Sequence, residues 1–254
     1  MIDTHIHMLP GIDDGAKDLD VAKQMLQTAI GEGVSELILT PHFNIPIYNN
    51  QNVEQQYNLI SDYIATEKIN LKIHLGNEIY LSEEDLAAIK KGQAHTMGDS
   101  KYLLVELPRY HFYPFHEVMI HDLQFSGYKI VLAHVERYQI FNDKPDKLKE
   151  LITEGVYSQI TSGYIMDNKT RKKALKWIEG GLAHIVASDG HNMDSRPPLM
   201  KSAYDIVAEV FGQPCAQTLF FDNPRLMIED EALMVMNINK KKDFVRRLLD
   251  KIKD

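Results

Sequence analysis

Seven short apolar runs punctuate the chain: MIDTHIH (1–7), SELILTPH (35–42), LKIHLGNE (71–78), YLLVEL (102–107), YKIVLAH (128–134), YSQITSG (157–163) and HIVASDGH (184–191). Runs of this length have the size of strands buried on both faces. Most are followed by a segment of helical period. The segment DLDVAKQMLQTAIGEG places Leu19, Ala22, Met25, Leu26, Ala29 and Ile30 on one face and ends at Gly33. LSEEDLAAIKKG offers Ser82 as an N-cap, with Asp85 three residues on, and RKKALKWIEGG ends on paired glycines. Strand alternating with helix predicts an α/β domain with parallel strands inside and helices outside. Seven such units suggest a closed barrel whose functional residues sit at the carboxyl ends of the strands.

The polar residues follow the same grammar. His5 and His7, His42, Glu78, Glu106, His134, and Asp189 with His191 all lie at or just after the end of an apolar run. Buried strand ends do not collect ionisable groups without partners. Side chains alternate along a strand, so positions 3, 5 and 7 share a face and His5 and His7 can reach one point. The usual reason for neutral imidazoles to converge is a metal ion. With Asp14, from the acidic turn IDDG, the candidate ligands are His5, His7, Asp14, His42, Glu78, Glu106, His134, Asp189 and His191. Asp13 can take the place of Asp14. A donor set of nitrogen and oxygen without thiolate favours Mn²⁺, Fe²⁺ or Zn²⁺. The set is too large for one ion and suits two or three. Glu78 is placed to bridge two of them, about 3.5–4 Å apart, as in phosphoryl-transfer sites.

Composition narrows the partners. A formal net charge of −8 opposes nonspecific nucleic-acid binding, which needs basic patches. The single cysteine, Cys215, forbids an internal disulfide and suits a reducing interior. The N-terminus lacks the basic and apolar regions of a secretory leader, and no segment has the roughly 18 apolar residues needed to span a bilayer. A cytoplasmic protein is expected. The final stretch, KKKDFVRRLLDKIKD, predicts a basic amphipathic helix with Phe244, Val245, Leu248, Leu249 and Ile252 on one face. That face can dock on the barrel or touch an anionic membrane.

The motifs DTHIH, TPH (40–42), GNE (76–78), AHVERY (133–138) and ASDGHN (187–192) resemble those of the polymerase and histidinol phosphatase (PHP) superfamily. IDDG, LLVELP, SDGHNMDSRPPLM and DNPR (222–225) resemble one branch, the bacterial tyrosine-protein phosphatases of capsule and exopolysaccharide operons. The resemblance runs from residue 1 to about 225, leaving 226–254 as a separate tail. It implies a distorted (β/α)7 barrel and a three-ion cluster, often manganese. It implies His5, His7, Glu78 and Asp189 on one ion, Glu78, Glu106 and His134 on a second, and Asp14, His42 and His191 on a third. Some relatives have histidine in place of Glu106. Asp3 is expected behind the ligands, holding the free ring nitrogen of a ligand histidine.

Arg137 and Arg196 stand beside these ligands, and a guanidinium grips two phosphate oxygens at once. Arg109 lies near a strand end. With Asp189 as a candidate proton donor, Arg137 and Arg196 are the expected catalytic residues. The aromatic residues Phe43, Tyr48, Tyr110, Phe112 and Tyr113 can wall a slot for an aromatic phosphoester. A cysteine-based phosphatase is excluded, because Phe221 stands where the phosphate-binding arginine would follow Cys215. The resemblance implies hydrolysis of phosphotyrosine on the tail of a membrane-associated bacterial tyrosine kinase. A small-molecule phosphatase acting on histidinol phosphate is the main alternative. A nuclease module and a phosphotyrosine-capturing regulator rank below both.

Overall fold

The computed structural model describes residues 1–235; the basic helix expected over 240–254 lies outside them. Nine strands occur among the described residues: β1 (Ile2–Ile6), β2 (Glu36–Leu39), β3 (His42–Phe43), β4 (Lys72–Leu75), β5 (Glu78–Tyr80), β6 (Tyr102–Glu106), β7 (Lys129–Leu132), β8 (Tyr157–Thr161) and β9 (Ile185–Ala187). They form a sheet in the order β1-β2-β4 and another in the order β3-β5-β6-β7-β8-β9. Every strand pair is parallel. A parallel bridge between Ile6 and Gly190 ties β1 to the chain just beyond β9, so the sheets curl into a half-barrel.

Two of the seven runs are not single strands. The run 35–42 breaks at Thr40–Pro41 into β2 and β3, and the run 71–78 breaks at Gly76–Asn77 into β4 and β5. Proline has no N–H for the ladder. Gly76 sits where a Cβ would come within 2.9 Å of Met97 Sδ. The buried Asn77 replaces the lost ladder bonds: its Nδ2 donates to the Pro41 carbonyl at 3.0 Å and its Oδ1 accepts from the His95 N–H at 2.7 Å. The breaks set His42 directly opposite Glu78 in the β3–β5 register.

Helices pack outside the strands. Helix Leu19–Gly31 starts where Asp18 accepts from the Val21 N–H at 2.9 Å, and it buries Ala22, Met25, Leu26 and Ala29. Ile30, expected on the same face, is 38% exposed at the edge of that stripe. Ser82 caps helix Glu83–Lys90 by accepting from the Asp85 N–H.

A separate apolar cluster fills the half-barrel interior: Ile38, Met97, Tyr102, Leu104, Val131, Ala133 and Ile185. Met227 and Leu233 close it from below. Full burial of one such side chain contributes about 1.5–3 kcal/mol. The chain beyond residue 225 therefore continues into the floor of the fold, where the Tyr102 hydroxyl donates to the Glu231 carbonyl.

Candidate metal centre

All nine expected ligands gather at one mouth of the fold: seven lie at or beyond the carboxyl ends of β1, β6, β7 and β9, while His42 and Glu78 open β3 and β5, just past the ends of β2 and β4. Alternation along β1 carries the rings of His5 and His7 into the interior, their Nε2 atoms 3.1 Å apart. Glu78 lies among four imidazoles: its Oε2 is 3.3 Å from His5 Nε2, 3.2 Å from His7 Nε2 and 3.0 Å from His42 Nδ1, and its Oε1 is 2.6 Å from His134 Nε2. Glu106 Oε1 lies 3.6 Å from His134 Nε2. Asp14 Oδ1 lies 3.1 Å from His42 Nε2 and 3.4 Å from His191 Nε2. Asp189 Oδ1 is 3.4 Å from His5 Nε2.

The hydrogen bonds around the rings fix which nitrogens face inward. Gln159 Oε1 accepts the backbone N–H of His134 at 3.0 Å, so it must also be the acceptor for His5 Nδ1 at 3.1 Å. Asp13 Oδ2 accepts the His42 N–H at 2.9 Å and His7 Nδ1 at 2.7 Å. The Asp189 carbonyl accepts His191 Nδ1 at 3.0 Å. Each of these rings therefore turns Nε2 to the centre. Two imidazole nitrogens 3.1 Å apart need a shared proton or a cation between them. Asp189 Oδ1 and His191 Nε2 are buried without a hydrogen-bond partner, which is costly in a closed interior. Three sets of side chains offer atoms within 4.8 Å of one another: His7, Asp14, His42 and His191; His5, His7 and Asp189; His42, Glu78 and Glu106. This donor set, converging on one region and with two of its inward atoms unpartnered, fits divalent cations.

Without a cation the centre holds protons. Burial depresses His7, but Asp13 and Glu78 outweigh it and raise the ring to about 9. Burial likewise opposes protonation of His42, and Asp14 and Glu78 overcome it, to about 11. Burial and the nearby Glu78 charge push Glu106 up to about 7. Burial pushes His134 down to about 4. Against burial, Glu78 is held below the usual carboxylate range by His5 and by its hydrogen bonds to His134 and His42, and Asp189 by His5 and Arg137.

Arg137 and Arg196 both donate through Nη2 to Asp189 Oδ2. Asp189 thus offers one oxygen to the ligand cluster and the other to two guanidiniums. That arrangement corrects the expectation that Asp189 gives up a proton: a carboxylate held ionised is a poor acid. His134 and Asp189 both sit in the left-handed backbone region, with φ of 29° and 53°. Such a conformation costs about 1–3 kcal/mol in a non-glycine residue and is held by the surrounding contacts.

Asp14, the expected ligand, joins the convergent groups, and its alternative Asp13 stands behind His7. Asp3 touches no ligand ring. Its carboxylate accepts from the N–H and hydroxyl of Ser188, and from the His5 N–H, bracing the backbone of β1 against the 188–191 loop. The role expected of Asp3 is filled by Gln159 at His5 Nδ1, a residue without a signal in the sequence, and by Asp13 at His7 Nδ1. Of the five aromatic residues, Tyr48 alone stacks on a ligand ring, His42, with centroids 5.5 Å apart. Phe43 is buried in the outer core, Phe112 packs against that core, and Tyr110 and Tyr113 are exposed. Cys215 is buried, and burial pushes its thiol up to about 12, far from a reactive thiolate.

A curled parallel α/β sheet with a histidine–carboxylate cluster at the carboxyl ends of its strands defines the class: a metal-site half-barrel. Within that class the chain belongs to the capsular polysaccharide synthesis CpsB/CapC family, whose model matches residues 1–229. The chain is 32% identical to the tyrosine-protein phosphatase CpsB of Streptococcus pneumoniae, over 92% of this chain and all of that protein. It is 33% identical to the tyrosine-protein phosphatase YwqE of Bacillus subtilis, over 92% of this chain and 93% of the relative. Crystal structures of YwqE and CpsB, metal-dependent tyrosine phosphatases, include a chain that superposes with a TM-score of 0.87 at 32% identity, covering 93% of this chain and 97% of that one.

Proposed function

We propose that this chain is a metal-dependent protein-tyrosine phosphatase of capsule or exopolysaccharide synthesis. The observation that carries the reading is Asp189, one oxygen facing the ligand cluster and the other holding Arg137 and Arg196. A phosphate group placed there would meet the guanidiniums on one side and, on the other, the side chains that would hold cations. The names of the relatives, at about a third identity along nearly the full length, support the same substrate.

In this reading His5, His7, Glu78 and Asp189 hold one divalent cation, and Glu78, Glu106 and His134 hold a second. Asp14, His42 and His191 hold a third. Manganese is the proposed metal, with iron and zinc compatible with the same donors. When bound, such ions polarise phosphoryl oxygens and lower the pKa of water toward about 7. Arg137 and Arg196 bind the nonbridging oxygens and stabilise charge developing on them. Among the described residues only one nitrogen of each guanidinium has a protein acceptor, which leaves the remaining N–H groups for phosphate. Asp189 keeps the two arginines aimed. The leaving phenolate has a parent pKa of about 10 and needs little proton assistance.

Counting each broken run as one strand, the Ile6–Gly190 bridge supports reading the fold as a distorted (β/α)7 barrel. The boundary expected at 225 falls inside the helix Asn223–Ile228, so the proposed domain extends through the floor residues Met227 and Leu233, with the basic stretch 240–254 as a C-terminal extension. The proposed substrate is the phosphotyrosine tail of a membrane-associated bacterial tyrosine kinase. The proposed location is the cytoplasm, with no role for nucleic acid and peripheral membrane contact through residues 240–254. Among the described residues no helix is long and apolar enough to cross a membrane.

The test is turnover of a phosphotyrosine peptide by purified protein with Mn²⁺ and after chelation. Hydrolysis that requires Mn²⁺ and exceeds that of histidinol phosphate is expected. Undiminished turnover after complete metal removal overturns the role of the cations, and a strong preference for histidinol phosphate overturns the substrate.

A further inference from the structure

We infer that Gln159 is the positioning residue that locks His5 for cation binding and couples it to His134 across the centre. The inference rests on the cation reading of the site, not on the identity of the phosphoester.

Gln159 is fully buried in β8. The β7–β8 register pairs Leu132 with Ser158 and so brings residue 159 beside the turn that follows β7. A backbone N–H can only donate, so the His134 N–H at 3.0 Å fixes which end of the amide is oxygen. The same oxygen meets His5 Nδ1 at 3.1 Å, which must then carry hydrogen. The Nε2 lone pair of His5 is left facing His7, Glu78 and Asp189. Turning the amide over would place an NH2 group against the His134 N–H and offer His5 Nδ1 a donor instead of an acceptor, which reverses the His5 tautomer.

Two ligands thus depend on one oxygen. His5 gets its tautomer from it, and His134, held at φ 29°, has its backbone N–H satisfied by it. His7 and His191 have local orienters, Asp13 and the Asp189 carbonyl, contributed by neighbouring stretches of chain. Gln159 is different in tying β1 to the end of β7 from a third strand. The amide nitrogen, Nε2, has no partner among the described residues, so the side chain is held by its oxygen alone.

The experiment uses the full chain and Zn²⁺ or Mn²⁺ alone, without any phosphoester. Calorimetric titration of Gln159→Leu should show cation binding weakened about 10- to 100-fold, the scale of losing an orienting partner. Gln159→Glu keeps an acceptor oxygen and should restore binding to within a few-fold of the wild type. Long-range nitrogen–proton NMR of the Zn²⁺-loaded wild type should show His5 with hydrogen on Nδ1 and the ion on Nε2. A folded Gln159→Leu with unchanged affinity overturns the inference. So does a folded Gln159→Glu that fails to restore binding. Should Gln159→Leu not fold, the wild-type spectrum still decides: zinc on His5 Nδ1 overturns it. None of these readouts depends on which phosphoester is hydrolysed, so a failure of the phosphatase reading is separately visible.

Discussion

At the amino ends of the strands Glu36 is buried between the Arg225 guanidinium and His74 Nε2, the latter at 2.8 Å. At the carboxyl ends Glu78 is buried among four imidazoles. Both ends use the same residue types. Below, charge is balanced within the protein: Lys129 sits 3.1 Å from Asp230, and the buried Asn223 bonds both the N–H and the carbonyl of Met234. Above, lone pairs converge, and Asp189 Oδ1 and His191 Nε2 are left without a partner. Buried polarity alone does not mark a site, since both ends have it. Even an unpartnered buried atom does not, since His184 Nε2 below is one; what marks the site is several imidazoles and carboxylates aimed at one point. The motif DNPR belongs to the lower end, where it builds a floor and not a reaction centre.

The contrast breaks most decisively at Glu78. Glu78→Gln keeps the shape and removes the charge that four imidazoles share. Turnover of a phosphotyrosine peptide should fall by more than about a thousandfold and cation content should drop, a larger loss than an outer partner causes. Near-normal metal content and rate would place the cations elsewhere. Arg137→Ala comes next. It should lower turnover about a hundredfold, the scale of removing one preorganised donor, while metal content stays at the wild-type level. Loss of metal in that variant would assign Arg137 to holding Asp189 and not to holding substrate.

The two ends should also differ with pH. His7 rises from 6.5 to about 9 in the metal-free fold, and His42 to about 11. A group raised in the folded state stabilises fully below its unfolded value and ceases to do so as pH passes its folded value. The chelated protein should therefore lose stability progressively above about pH 6.5, the His7 share being gone above about pH 9 and the His42 share above about pH 11. Cation binding must displace those protons, so apparent affinity should strengthen with pH, by up to about tenfold per unit for each proton released. Calorimetry in buffers of different ionisation enthalpy would measure that release, and its absence would show that these rings are already deprotonated.

Much of this was legible in the chain. His5 and His7 share a face because strand alternation demands it, and every metal-ligand candidate marked by its place near a run's end reached the same mouth. What could not be read depends on register. Gln159 looks like any polar residue in a strand until β7 is set beside β8. Asp13 and Asp14 are neighbours on a turn, and only the path of that turn decides which carboxylate points inward. The breaks at Pro41 and Gly76 had a signal in residue type, but nothing local says that His42 and Glu78 would end opposite each other. The floor built by Met227 and Leu233 is a long-range contact that no period in the sequence announces.

The smallest expected effect tests the lower end. Arg225 is partly exposed, with a side chain 39% accessible, while its partner Glu36 is only 3% accessible. Arg225→Ala leaves the Glu36 carboxylate with the His74 ring as its remaining side-chain partner among the described residues. Breaking a fully buried pair costs about 3–5 kcal/mol and an exposed one at most about 1, so a loss of about 1–3 kcal/mol is expected. For a chain of this size each kcal/mol lowers the melting temperature by roughly 2–4 °C. Cation content and turnover should stay within about twofold of the wild type, because the apolar layer of Ile38, Leu104, Val131 and Ile185 separates the floor from the ligands. If Arg225→Ala instead cost as much turnover as Arg137→Ala at temperatures where it remains folded, the two ends would be energetically coupled. The balanced charges below would then be part of what aims the unbalanced ones above.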